Sequence, residues 1–184
     1  RFRNKSTGEY RAYQVEAIKD PYKLNAILKS KYFSNMNDMM YSLNVYNNMY
    51  KAEEKHLLSL HLLAIDVDYD KVPELAHMKP ATVIKRLEKE FDVTIPTPSL
   101  IEYGHRIRLL YKIECVGANK KSIKVAQLVT KAIADKLKGY GATEQALTTY
   151  ARLLGSVNTK NNSKIKVKLL RAEPYRLRDF QETL

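Results

Sequence analysis

The chain has 184 residues, 45% of them hydrophobic, which is enough for one sizeable core or a core with a small lobe. Its formal charge is +12, from 32 Lys and Arg against 20 Asp and Glu, and such a surplus suits nucleic acid, a ribosomal surface or an anionic membrane. The single cysteine, Cys115, excludes an internal disulfide framework and a thiolate zinc site, and it fits a reducing, cytoplasmic setting.

The chain opens Arg1-Phe2-Arg3-Asn4, without a secretory signal or an initiator Met, and we therefore expect a fragment of a longer protein. No apolar run reaches the roughly 20 residues of a membrane span. Residues 1–50 are rich in Tyr, Asn, Lys and Met, with a helix expected over 21–32, where Asp20 can cap and Pro21 sits at the first turn. The stretch 40–45 alternates as a short strand does, and 51–61 reads as a charged helix or turn. Residues 62–70 begin as a continuous apolar run and then alternate, the pattern of a buried strand emerging into a polar site.

Pro80, followed by Val83, Ile84, Leu87 and Phe91, marks an amphipathic helix. Pro96 and Pro98 break the chain before a strand over 99–103. Residues 106–114 put Ile107, Leu109, Tyr111 and Ile113 on one face, with Arg106, Arg108, Leu110 and Lys112 on the other. Cys115 reads as a small core residue of the same strand. Ser122 is the expected cap of a long helix carrying Val125, Leu128, Val129, Ala132, Ile133 and Leu137 inward, with Gly139 at its end. A shorter helix over 143–153, a turn over 155–158 and a strand over 164–169 with its lysines on one face complete the series. The expected architecture is α+β, a mixed or antiparallel central sheet flanked by helices.

Asp66, Asp68 and Asp70 recur at every second position, so an extended backbone would project all three from one face. Carboxylates at the polar end of an apolar strand can hold Mg²⁺ or Mn²⁺, and two such ions suit phosphoryl transfer. A solvated strand end whose acids balance nearby lysines is the competing reading. His105, Arg106, Arg108 and Lys112, with Arg152, Asn158 and Lys160, offer donors suited to triphosphate or template phosphates. Lys164, Lys166 and Lys168 form a second basic face that could meet nucleic acid or simply be wet sheet surface.

Several of these segments, taken in order, resemble the archaeo-eukaryotic-type primases, and in particular the primase-like replication proteins of Gram-positive plasmids and integrative elements. The hydrophobic strand ending in Asp-x-Asp is matched by Ala64-Ile65-Asp66-Val67-Asp68, and the helix and proline pair that follow are matched by 83–91 and 95–99. The glycine turn running into a strand is matched by Tyr103-Gly104-His105-Arg106-Ile107-Arg108-Leu109. The third region is matched by Gly141-Ala142-Thr143-Glu144, by Arg152, and by Gly155-Ser156-Val157-Asn158-Thr159-Lys160. The resemblance spans roughly residues 40–170.

It implies a primase-polymerase acting on a single-stranded DNA template with nucleoside triphosphates, using Mg²⁺ or Mn²⁺ held by Asp66 and Asp68, with Asp70 or Glu144 as a third acid. It also implies a basic cluster for the triphosphate and a helicase domain or other replication protein as partner. A DNA-binding or docking module that keeps the fold without the chemistry is the alternative. Two departures favour that alternative: Arg108 stands where the family commonly has His, and Thr148 where it has the third metal-binding Asp. The expected organisation is an N-terminal, mostly helical extension over 1–38, a primase-like core over 39–172, and a tail over 173–184 leading to a missing region.

Overall fold

The computed structural model describes residues 2–4, 10–11, 22, 26, 38–47, 51–104 and 106–180. The helix expected over 21–32 lies almost wholly outside that set. In chain order the strands begin with β1 (Phe2–Asn4), β2 (Tyr10–Arg11), β3 (Met39–Ser42), β4 (Val45–Tyr46) and β5 (Leu57–Val67). Helix α1 (Pro80–Leu87), the hairpin β6 (Leu100–Tyr103) and β7 (Ile107–Gly117), and helix α2 (Lys120–Lys136) follow. The chain closes with β8 (Ala142–Glu144), β9 (Tyr150–Arg152), β10 (Val157–Asn158), β11 (Ser163–Lys164) and β12 (Lys166–Leu169).

The main sheet has the order β12-β6-β7-β5-β4, with β8 pairing the far end of β5, and each of these pairings is antiparallel. A second sheet runs β2-β1-β3-β9 and a small ribbon joins β10 to β11. The expected α+β class with an antiparallel central sheet is what the chain adopts.

Alternation sorts the two faces of the main sheet. Leu63, Ile65 and Val67 of β5 oppose Tyr111, Leu109 and Ile107 of β7, and all six are fully buried against α1 and α2 in one cluster. Fully burying each such side chain is worth about 1.5–3 kcal/mol. The other face carries Ala64 and Leu110, which pack with Leu43 and Ala151 beneath the second sheet. One row further along lie the polar residues of the site.

Several local expectations are corrected. The segment 143–153 forms β8 and β9 rather than a helix, because the exposed edge of β5 and the edge of β3 each take a partner there. Of the charged helix or turn expected over 51–61, the turn is what forms, as a 3₁₀ turn over Glu54–His56, and strand β5 already starts at Leu57. The N-cap of α2 is Asn119, whose side chain accepts from Lys121 N and Ser122 N, while Ser122 Oγ accepts from Asn119 N in a capping box. On α2, Leu128 faces water and Ala126, Val129, Thr130 and Ile133 face the core. Cys115 is exposed, because the pairing of β5 with β7 shifts register beyond Leu62 and Lys112 and ends the simple alternation. Residues 173–180 dock on the core: Phe180 is fully buried and meets the Tyr111 ring edge-on at 5.7 Å.

Candidate functional site

The hairpin register places the site. Gly104 lies at the turn, where an added Cβ would come within 3.2 Å of the Ile165 side chain, and the two strands pair symmetrically about position 105. Glu102 therefore faces Arg108 across β6 and β7, and Arg108 faces Asp66 across β7 and β5. Thr143 of β8 opposes Asp66 on its other side. Directly opposed residues of a sheet share a face, so acid, guanidinium and acid form one cross-strand row.

Arg108 forks onto Asp66: Nε donates to Oδ1 at 2.5 Å and Nη2 to Oδ2 at 3.0 Å. Its Nη1 donates to the Tyr150 carbonyl of β9 at 2.8 Å, tying the second sheet to the first. Burial works against the Arg108 charge, yet the Asp66 hydrogen bonds and the nearby carboxylates more than offset it and raise its pKa. Glu102 is 7% exposed; its Oε1 accepts from Arg152 N at 3.4 Å, and its buried Oε2 has no hydrogen-bond partner. Burial pushes the Glu102 carboxyl up to about 6 despite the adjacent Arg108.

Asp68 is also buried, but β5 has ended at Val67 and the backbone at Asp68 has turned to φ −85, ψ 58. Lys71 Nζ bonds its Oδ2 at 2.6 Å and Arg106 Nε lies 3.4 Å from Oδ1. Asp70 lies in the next turn, Tyr69–Lys71, and is exposed, so the three acids do not share one face as an extended strand would require. Glu144 pairs with Ile65, on the opposite parity from Asp66, and is exposed.

A cleft of about 520 Å³ opens over this row. Arg106, Arg108, Arg152 and Lys160 line it together with Asp66 and Glu102, so four cations face two carboxylates. Asn158 lies in the same wall. Arg106 and Lys160 are exposed at the mouth. Arg152 is committed to a buried acid that the sequence reading passed over: its Nη1 donates to Asp38 Oδ1 at 2.9 Å, and Asp38 also accepts from the Thr159 hydroxyl. Burial alone would raise the Asp38 pKa, but these hydrogen bonds from Thr159 and Arg152 hold it below its ordinary value.

Other expected contacts lie elsewhere. His105 falls outside the described residues. Lys112 shares the face of Arg108 but lies two rows away, with its Nζ bonded to the Ala172 carbonyl at 3.2 Å. The strand expected over 164–169 is interrupted at Ile165, so Lys164 belongs to the small ribbon. Lys166 and Lys168 oppose Tyr103 and Ile101 on the helix-covered face, and Lys168 pairs with Glu88 just past α1. The three lysines thus do not form one basic face beside the cleft.

Glu102 was legible in principle. It is a lone acid in an apolar strand just before a glycine turn and a basic strand, and a hairpin centred on position 105 pairs it with Arg108. Asp38 carried no such signal.

The donor set does not fit a divalent metal pair as arranged. Both oxygens of Asp66 are taken by Arg108, those of Asp68 face Lys71 and Arg106, and Glu102 lies across the guanidinium from Asp66. No group of three His, Cys, Asp or Glu suited to a metal occurs among the described residues.

No family model matches this chain, and no curated protein matches it. Among solved structures it is similar to the AEP domain of the primase-polymerase (PrimPol) of cyanophage S-2L, with a TM-score of 0.58 at 11% identity, over 79% of this chain and 69% of that one. At that identity the likeness establishes a primase-polymerase-like fold. No helix among the described residues is long and apolar enough to cross a membrane.

Proposed function

We propose that this chain is the primase-like domain of a DNA replication protein of a mobile genetic element, and that its cleft grips single-stranded DNA by the phosphates. The observation that carries this reading is the cation-lined cleft on a primase-polymerase-like sheet, where Arg106 and Lys160 stand exposed above a row of buried charges. Arg and Lys in such a setting bind phosphate by charge-assisted hydrogen bonds, which makes binding salt-dependent and tolerant of sequence. Nucleoside triphosphates offer the same chemistry and would compete. The assignment to a mobile element rests on the motif series over 40–170, and a helicase domain or other replication protein is the expected partner.

The test is fluorescence anisotropy with a labelled oligo(dT) strand across a salt series. We expect log K to fall with log salt at a slope of about −1.5 to −3, as two to four neutralised phosphates give. Arg106→Ala/Lys160→Ala should weaken binding about tenfold or more. Binding unchanged in that double variant would remove the cleft as the DNA site.

A second reading, template-directed joining of nucleotides with Mg²⁺ or Mn²⁺ at Asp66 and Asp68, is favoured by one observation. The buried Oδ1 of Asp68 and Oε2 of Glu102 accept no hydrogen bond, and spare carboxylate oxygens are what a hard cation uses. It requires Arg108 to leave Asp66. Incorporation of labelled nucleotide on a single-stranded template that disappears in Asp66→Ala/Asp68→Ala would establish it.

A further inference from the structure

The floor of the cleft already contains a positive charge where two acids converge. Asp66 and Glu102 lie on the strands flanking β7, in one cross-strand row, and the Arg108 side chain stands in that row between them. Its fork occupies both oxygens of Asp66, and its remaining terminal nitrogen is anchored on the Tyr150 carbonyl. Two groups from two strands, the Asp66 carboxylate of β5 and the Tyr150 carbonyl of β9, thus hold one guanidinium in a fixed plane, with its side chain only 17% exposed.

A divalent ion arriving at Asp66 would meet two obstacles. The carboxylate lone pairs it needs already accept hydrogen bonds, and the incoming charge would be repelled by a buried guanidinium that cannot shed its proton. Removing Arg108 from its acids would also leave buried charge without a partner. The second acid at the row, Glu102, keeps one bare oxygen on the far side of that guanidinium.

We propose that Arg108 is the resident cation of this site, a positioning residue that permanently neutralises Asp66 beside Glu102, so that the cleft binds phosphate-bearing ligands without a divalent metal. Arg106 and Lys160 then supply the exposed donors, and the floor stays closed to Mg²⁺ or Mn²⁺. The inference rests on the phosphate-binding reading above and deepens it. The shared ligand chemistry is the phosphate, carried by single-stranded DNA or by a free nucleoside triphosphate.

The experiment uses the whole chain in two independent arms. In the first, Mn²⁺ is titrated alone and followed by electron paramagnetic resonance. The wild type should bind no Mn²⁺ more tightly than about 1 mM, the weak range for oxygen-ligand sites. Arg108→Gln, which frees the Asp66 carboxylate beside Glu102, should gain affinity for Mn²⁺ by about tenfold or more. Micromolar Mn²⁺ binding by the wild type that is lost in Asp66→Asn overturns the proposal, and that result does not depend on whether Arg108→Gln folds.

In the second arm, labelled oligo(dT) and, separately, dATP are titrated in EDTA and in Mn²⁺ at matched ionic strength. Affinities equal to within about twofold are expected for whichever ligand binds, and metal-dependent tightening overturns the proposal. No binding of either ligand in either buffer overturns the functional reading instead, while the Mn²⁺ titration still decides the role of Arg108.

Discussion

Gly141 lies where no side chain fits. Its backbone is left-handed, at φ +72°, and a Cβ there would come within 2.6 Å of the Asp68 carbonyl oxygen. The same residue accepts a hydrogen bond from Asp68 N at 3.1 Å, so it clamps the chain where β5 leaves the sheet and Asp68 turns toward Arg106. Gly141→Ala should therefore lower stability by about 1–3 kcal/mol, read as a fall in the urea midpoint with little change in slope. Asp68 would be displaced with it. The glycine was visible in the sequence as part of a motif, but its need for close approach to Asp68, 73 positions earlier by residue number, was not.

Between elements, the decisive joint is Asn44, in the corner joining β3 to β4. Its Nδ2 donates to the carbonyls of Leu62 at 3.2 Å and Leu147 at 2.8 Å, and its Oδ1 accepts from His61 N at 2.7 Å and Leu62 N at 3.2 Å. His61 lies where the β5–β7 register shifts, so a 2% exposed side chain supplies partners there and also pins the connection before β9. Asn44→Ala would leave several buried backbone groups unpaired and should cost about 2–3 kcal/mol, measurable by chemical denaturation. The strongly periodic elements β5, β7, α1 and α2 were legible because a buried face repeats within each. The strands β8 and β9 were not, since each has only three residues and is extended because a sheet edge beside it accepts its backbone.

For the molecule as a whole, the buried charges of the row set a pH dependence. Glu102 has its carboxyl raised from 4.5 to about 6, chiefly by burial, so the folded chain retains a proton that the unfolded chain releases within that window. Stability from this group is fully present below pH 4.5 and is lost as the pH rises through about 6, a difference of about 2 kcal/mol. Glu102→Gln should flatten this part of the stability profile, measured by urea denaturation from pH 4.5 to pH 7. A wild-type profile that does not fall across that window would place Glu102 in water rather than in the buried row. Asp38 acts with the opposite sign: its lowered pKa contributes stability that is lost as the pH falls below its ordinary value of 3.8.

Composition and periodicity alone determined the class of fold, the apolar faces of the long elements and the excess of positive charge, because each is a property of residue type and spacing. The meeting of Asp66 with Arg108 near one cleft was also foreseeable, since both sit at matching positions of ordered motifs. Only the tertiary structure decided what they do to each other. Sheet register puts Asp66, Arg108 and Glu102 in one row, the end of β5 at Val67 turns Asp70 away, and the break at Ile165 sends Lys166 and Lys168 to the helix-covered face. These outcomes depend on hydrogen-bond register between strands distant in sequence, and a one-residue slip would exchange the faces of every side chain involved.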